Sequence, residues 1–496
     1  MSVVRQAPPR ASAMLEALRG MGYSIGAAVA DIVDNSISAG ASRVDIQFTW
    51  AGTSSRVAIL DNGRGMDDSE LESAMTLGDK NPLESRAAGD LGRFGMGLKT
   101  ASFSQCRRLT VATTAGGSRA CLRWDLDELA RNPDSGWALY EGPALGSEEY
   151  IGAVFEQPHG CLVLWEELDR IITKAFTIDH FLDVIDEVER HLAMVFHRLI
   201  AGPKPMLSLT INGRAIAPWD PFMLGHAAKP WESPIARRST ESGLISVQCH
   251  VLPHKDRLSI EEFERNGGPA GWTAQQGFYV YRNERLLLAG GWLGLGHGRA
   301  WNREESYRLA RIQLDIPNIA DAAWKIDIRK SSARPPVAIR PWLLRLAEDT
   351  RERARRVFAY RSTPKSLSGA SSIELAWRTE RTTAGVKYRI DEQHPAVSAV
   401  LSACEAHSVL VRAMLRVVEE TVPVQRIWLD TAEAKDTPRL AFDGEPSAEV
   451  RQVLTALFND MVIRRNMSEE LARTTLASTE PFQDYPSLVD SLRLES

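Results

Sequence analysis

The stretch Asp31-Ile32-Val33-Asp34-Asn35-Ser36-Ile37-Ser38-Ala39-Gly40-Ala41 decides how this chain is read. Ala28, Val29, Ile32, Val33 and Ile37 recur at helical spacing, which predicts an amphipathic helix over residues 24–39. Gly40 ends it, because a left-handed cap needs a residue without Cβ. Asp31 and Asn35 lie one turn apart and stack on one side of that helix, about 5–6 Å apart at Cβ. A carboxylate and a carboxamide held this way can share a Mg²⁺-nucleotide. The Asn35 amide oxygen is a hard metal ligand, and the Asp31 carboxylate can orient or deprotonate a water. Asp34 is offset around the helix from this line and is expected to matter less. Acidic and amide residues near a helix end usually cap it or face solvent, so the pair alone does not establish a nucleotide site.

Two later stretches strengthen that reading. Asp61-Asn62-Gly63-Arg64-Gly65-Met66 follows Val57-Ala58-Ile59-Leu60, an apolar run that reads as a buried strand. A buried Asp at a strand end can accept a hydrogen bond from an amino group such as that of adenine. Gly63 and Gly65 let the backbone approach a base closely; the alternative is a plain Asn-Gly turn. Gly89-Asp90-Leu91-Gly92-Arg93-Phe94-Gly95-Met96-Gly97-Leu98-Lys99-Thr100-Ala101-Ser102 then leads from glycines directly into an apolar helix. Backbone N–H groups at such a start bind phosphate, and Lys99 is close enough in sequence to add charge. The run is not a P-loop, which ends in Gly-Lys-Ser/Thr.

In this order, within about seventy residues, the three stretches resemble the GHKL ATPases: gyrase B subunits, MutL proteins, heat-shock chaperone ATPases, histidine kinases and MORC proteins. Met75-Thr76-Leu77-Gly78-Asp79-Lys80 with Gly92 to Lys99 is most similar to MORC and bacterial MORC-like proteins, while the first motif also resembles MutL. The likeness is strong over residues 11–170. It implies an α+β protein with an N-terminal Bergerat α/β sandwich that binds ATP and Mg²⁺, a transducer-like α/β domain, and a mostly helical C-terminal region. It implies that Asn35 holds the metal and that Asp61, with Gly63, Gly65 and Met66, reads adenine. Gly92, Arg93, Phe94, Gly95, Met96, Gly97, Leu98 and Lys99 would surround the phosphates, and residues 77–95 would form the ATP lid. Asp31 would orient the attacking water, although the family usually has Glu there. Cys161 stands where the family usually has the Thr of a Gly-Thr pair, and a thiol is the weaker donor. A lysine from the transducer-like domain would meet the γ-phosphate; Lys330 is the candidate and Lys325 the alternative. The resemblance also implies a homodimer formed through the ATPase domain.

The 496 residues suggest two or three domains. With 44% apolar and 25% charged residues the composition is that of a globular protein, and a net charge of −5 does not make the whole chain an electrostatic partner for nucleic acid. Cysteines 106, 121, 161, 249 and 404 show no metal-ligand or disulfide spacing. No signal-type or membrane-spanning apolar run is present, so a cytoplasmic protein with no membrane partner is expected.

The divisions read as a nucleotide-binding domain over 1–170, a linker helix and transducer-like domain over 171–340, a basic helix over 341–361 and a mainly helical domain over 373–496. Strands are expected at 42–50, 56–60, 106–113, 119–124 and 159–165, the last closing the first domain. Ile171 to Leu199 reads as a helix that could link domains. Asn212-Gly213 marks a hairpin in the second domain. Strands are also expected at 277–287, 311–316 and 324–328. Between Arg329 and Arg361 there are ten Lys or Arg and three acids, which can track phosphates or form a solvated face. Three functions compete: an ATP-gated dimeric clamp acting on DNA or with a nuclease or other defence protein, a chaperone-like remodeller, and a non-hydrolysing ATP-binding scaffold.

Overall fold

The computed structural model describes residues 9–20, 22–79, 97–132, 136–326, 333–360, 374–382, 385–427, 448–479, 482 and 485–494. They fall in two compact units, Met1–Thr363 and Pro364–Ser496.

The first unit begins with helices α1 (Ala11–Arg19) and α2 (Ile25–Ser38), strands β1 (Arg43–Thr49) and β2 (Arg56–Asp61), and helices α3 (Asp68–Met75) and α4 (Gly97–Phe103). Then come β3 (Arg108–Ala115), β4 (Ser118–Asp125), α5 (Leu126–Arg131), β5 (Tyr140–Glu141), α6 (Glu148–Phe155), β6 (Gly160–Glu166), α7 (Ile178–Val195), α8 (His197–Ile200), β7 (Ser208–Ile211) and β8 (Arg214–Ala215). The eight strands form one sheet in the order β5-β4-β3-β6-β2-β1-β7-β8. The β1–β7 pair is parallel.

The two ends of α2 show why the opening stretch folds as it does. Ser24 caps its start by accepting from the Ala27 N–H at 3.3 Å. At the other end Gly40 adopts φ +77°, its N–H donates to Ile37 O at 2.9 Å, and the Ala41 N–H donates to Ser36 O at 3.0 Å. That pair of bonds is a Schellman stop. Ala28, Val29, Ile32 and Val33 of α2 pack on Val44, Ile46, Val57 and Ile59 of the sheet. Each fully buried large aliphatic side chain there contributes about 1.5–3 kcal/mol. The other sheet face carries Ala58, Ala112, Leu162 and Leu164 beneath Ile151 and Val154 of α6.

Two boundaries differ from the expected ones. Residues 208–215 do not start a second domain; they add β7 and β8 to the outer side of β1, so β6 does not close the sheet. The helix expected as a linker is α7, whose Phe181, Val188 and Leu192 lie in the same core as α2.

The rest of this unit is built on strands β9 (Trp231–Glu232), β10 (Ala236–Thr240) and β11 (Gly243–Val251), helix α9 (Ile260–Asn266), strands β12 (Gly277–Arg282), β13 (Arg285–Ala289) and β14 (Ala310–Asp315), and helices α10 (Asp321–Trp324) and α11 (Arg340–Tyr360). The second sheet runs β10-β11-β14-β12-β13, with β9 on β11. Its Ile245, Val247, Phe278 and Val280 pack with Leu343, Ala347 and Ala354 of α11. Tyr279 and Tyr281 belong to a separate cluster with Phe222 and Leu286. Of the strand expected at 324–328, Trp324 ends α10 and Lys325 follows at φ +49°, while 327 and 328 lie outside the described residues.

The basic helix is α11, and it is not uniformly available to phosphates. Arg351 is buried, its guanidinium 3.7 Å from the Tyr307 ring centre, 4.3 Å from Trp301 and 4.6 Å from Trp292. Arg353 lies over Trp231 at 4.6 Å yet is exposed, as are Arg355 and Arg356.

In the second unit a hairpin of β15 (Trp377–Thr382) and β16 (Gly385–Ile390) precedes α12 (Pro395–Ala403), α13 (Ser408–Glu420), α14 (Ala448–Asn459), α15 (Glu469–Leu476) and α16 (Pro486–Ser491). The described residues after this hairpin are mainly helical. No helix among the described residues is long and apolar enough to cross a membrane.

Candidate nucleotide site

Asp61 ends β2, directly opposite Cys161 of β6. Its carboxylate is buried, and α2 supplies its lid: Ser36 Oγ donates to Oδ2 at 2.8 Å. The Gly63 N–H donates to Oδ1 at 2.8 Å. Burial pushes the Asp61 carboxyl above its ordinary value, opposed by the Gly63 and Ser36 hydrogen bonds, the Cys161 backbone and the nearby His159. An ionised carboxylate has about four lone-pair positions. The two donors named leave acceptor capacity for an amino group entering from outside.

The turn beyond Asp61 is held tightly. Asn62 Oδ1 accepts from the N–H groups of Ser42 and Arg43 at 2.9 and 2.8 Å, and the Arg64 N–H donates to Ala39 O at 3.0 Å. His159 Nδ1 lies 2.7 Å from Gly63 O, which assigns the ring proton to Nδ1. A Cβ on Gly63 would meet Asp61 Oδ1 and Ala39 Cβ at 2.9 Å. At Gly65, φ +71°, a Cβ would lie 2.0 Å from Thr114 O, so no side chain fits. Gly160, at φ +150°, would place one 2.4 Å from Asp61 O. The backbone therefore closes around the carboxylate only with glycine at these places.

One turn back along α2, Asp31 is 6% exposed and Asn35 is exposed. The helix thus carries Asp31 one turn before the neighbouring Asn35 and Ser36, of which Ser36 reaches Asp61. Among the described residues no group of three or more His, Cys, Asp or Glu could hold a metal ion. A lone exposed amide fits Mg²⁺ bound chiefly through phosphates and waters, which is the usual way that ion is held.

Residues 23–149 match the family of histidine kinase-, DNA gyrase B- and HSP90-like ATPases. The N-terminal part of the chain is a GHKL-type ATPase domain. A DNA mismatch repair protein MutL from Rhodospirillum rubrum is 37% identical over 187 residues, which are 37% of this chain and 26% of that protein. The chain thus spans about a quarter of the length of the curated relative it matches.

Within the GHKL domain, three sequence expectations meet different surroundings. Lys99, expected near phosphate, is buried and donates from Nζ to Ala74 O and Thr76 O, both at 2.8 Å. With Trp124 Nε1 donating to Met75 O at 3.0 Å, it satisfies the carbonyls at the end of α3, where the helix dipole favours a cation. Lys99 therefore ties α4 to the residues that lead into the expected lid. Second, the hydroxyl missing at Cys161 has a counterpart on the neighbouring strand. Thr113 is in register with Cys161; its Oγ1 accepts from the Met66 N–H at 2.8 Å and donates to Gly160 O at 3.0 Å. The Cys161 thiol is held well above its ordinary value by burial and by Asp61.

Third, Asp34 is not a bystander. Both of its oxygens lie 3.1 Å from Nε of Arg285 on β13, and Arg285 Nη2 is 3.0 Å from Oδ2. Gly97 starts α4 and Leu98 and Met66 are half-buried against the core. Gly92, Arg93, Phe94, Gly95, Met96 and Lys330 lie outside the described residues, as does most of the 77–95 lid. Sequence reasoning missed Ser36 and Thr113 as partners of this corner, although Ser36 stood in the decisive stretch one residue after Asn35. It also missed Arg285, 251 residues from Asp34 in the chain, which no local pattern could reveal.

Proposed function

We propose that the protein is a slow ATPase that uses ATP to switch between open and closed dimeric states and that acts on DNA. The observation that carries this reading is the Asp61 carboxylate at the end of β2, held by Ser36 of the helix that also bears Asp31 and Asn35. In this reading Asp61 accepts a hydrogen bond from the adenine amino group. Backbone N–H groups between Gly92 and Leu98 hold the phosphates, and Lys330 meets the γ-phosphate. Asn35 contributes the protein ligand to Mg²⁺, which when bound neutralises phosphate charge. Asp31 orients a water for in-line attack on the γ-phosphorus and accepts its proton as ADP departs. Lys99 keeps a positioning part, fixing α3 to α4.

The match to a DNA mismatch repair protein supports a task on DNA over one in protein remodelling. Exposed Arg353, Arg355 and Arg356 are α11 residues that suit phosphate contact; Arg351, caged by rings, does not. The MORC-like motifs at 75–80 and 92–99 extend the reading to a partner nuclease or other defence protein.

Steady-state ATP hydrolysis with and without duplex DNA, beside calorimetric titration with ATP and Mg²⁺, tests the proposal. Turnover stimulated by DNA is expected, with Asp31→Ala binding ATP but losing turnover. Light scattering with a non-hydrolysable analogue is expected to show a dimer or a compacted one. Turnover indifferent to DNA would favour the remodeller, and binding without turnover the scaffold.

A further inference from the structure

Arg285 opens β13 after the Asn283-Glu284 turn, whose two residues sit at φ +47° and +64°. That left-handed pair is the tight hairpin geometry, so the turn fixes where Arg285 leaves the second sheet. Its guanidinium reaches into α2. Beyond the contacts to Asp34, Nη2 lies 3.9 Å from Asp31 Oδ1, and Nη1 donates to Leu286 O at 2.7 Å. The Arg285, Asp31 and Asp34 side chains are 5%, 7% and 2% exposed, so water screens these charges little. The Phe196 ring, 5.9 Å away, covers the guanidinium. On the α7 side, His191 packs against Gly26 of α2; burial and Arg285 push its imidazole down to about 4, so it adds no charge at neutral pH.

One guanidinium thus spans two carboxylates on successive turns of one helix. A planar fork fixes the direction of its partner as well as its distance. Moving the β12–β13 hairpin must therefore move the last turns of α2 or break the pair. We infer that Arg285 is a positioning residue for hydrolysis: by gripping Asp34 it sets the place of the Asp31 carboxylate, and through it the second sheet governs the water-orienting group. This rests on the proposed ATPase function. It also gives Asp34 a task that its place around the helix did not suggest.

The test compares wild type with the double variant Arg285→Met/Asp34→Leu, which removes both charges of the tight pair together, at the cost of the 3.9 Å contact from Arg285 to Asp31. Folding is checked by circular dichroism melting. The nucleotide Kd with a non-hydrolysable analogue and the KM for ATP are expected to stay within about threefold, while kcat falls by about tenfold or more, because a small misplacement of a reacting group is costly. Arg285→Lys, which keeps the charge and loses the fork, is expected to give an intermediate kcat. A folded double variant with wild-type kcat overturns the inference, as does an equal loss in Kd and kcat, which is the mark of a merely structural contact. If the double variant does not fold, wild-type kcat in Arg285→Lys overturns it. A wild type that neither binds nor turns over ATP shows the parent reading failing first, and the inference falls with it.

Discussion

Asp61 and Asp34 are both carboxylates buried against α2, and they are held in opposite ways. Asp61 is met by neutral donors, the Ser36 hydroxyl and the Gly63 N–H, and burial pushes its carboxyl up. Asp34 is met by the Arg285 guanidinium on both of its oxygens. A carboxylate held by neutral donors retains charge and acceptor capacity for a donor from outside. One held by a fork of N–H groups has its directionality committed to the protein, and it is suited to joining two layers. Ser36 and Asp34 are two residues apart, so one helix turn faces a ligand corner on one side and the second sheet on the other.

The largest expected effect is at the ion pair. Asp34→Ala leaves the buried Arg285 without its close carboxylate, with Asp31 at 3.9 Å, and removing one partner of a buried pair costs about 3–5 kcal/mol. Urea denaturation followed by tryptophan fluorescence is expected to show the transition of the first unit moved to lower denaturant. An unchanged midpoint would mean that the two carboxylates are not held differently after all.

Asp61→Asn is expected to do the reverse, leaving stability nearly intact and removing function. The amide can still accept from Ser36 or Gly63, but it brings a donor to the place where adenine would donate. A lost charged hydrogen bond is worth about 1.5–3 kcal/mol, on the order of a hundredfold in nucleotide affinity at the upper end. The raised carboxyl sets the sign of the pH effect. The ionised form is disfavoured in the folded protein, so its contribution to stability improves as pH falls through the raised value. Nucleotide binding runs the other way: wild-type affinity weakens on that same acidification, because protonation removes an acceptor. Calorimetry across the acidic range checks this, and a wild-type profile as flat as that of Asp61→Asn would remove Asp61 from the site.

Arg351 sharpens the comparison from the cationic side, since its charge is held mainly by aromatic faces, with Glu304 3.9 Å away. Arg351→Ala is expected to destabilise the unit by about 2 kcal/mol or more, whereas Arg355→Ala changes stability by less than about 0.5 kcal/mol. If duplex DNA is the ligand, only the second weakens binding and lowers its salt slope. Equal stability losses would contradict the cage.

These contrasts also mark what the sequence could reveal. The helix at 24–39, its stop at Gly40 and the strand before Asp61 were legible because periodicity and a left-handed cap are local properties. Gly63 and Gly65 are glycines for a reason the sequence did not show, since a Cβ there would meet Asp61 and Ala39 or, 49 residues away in the chain, Thr114. What was not legible depends on distant chain. Asn212-Gly213 correctly signalled a hairpin, but nothing local says that its strand pairs with β1. A lysine following glycines does not reveal by itself that α3 presents its carbonyls to Lys99. Arg351 counts as one more charge in a basic run until Trp292, Trp301 and Tyr307 gather around it.

The smallest expected effect concerns Cys161, which tests how much a neutral donor at the Asp61 corner matters. Asp61, Cys161 and Thr113 are directly opposite one another on adjacent strands, so their side chains share the sheet face that α2 covers. The thiol remains protonated at neutral pH, since burial and Asp61 both oppose its ionisation, and it is a weak donor. Cys161→Thr would install the residue usual in the family. Thr113, however, already supplies a hydroxyl there, tying the Met66 N–H to Gly160 O. The new hydroxyl is therefore expected to tighten nucleotide binding by no more than about 1 kcal/mol, roughly fivefold. Thr113→Val, which removes both of those bonds, is expected to weaken binding by more than Cys161→Thr strengthens it. Calorimetric titration of the two variants decides the point. A gain well beyond tenfold in Cys161→Thr would show that Thr113 does not stand in for the missing hydroxyl, and a loss would show that the thiol itself meets the nucleotide.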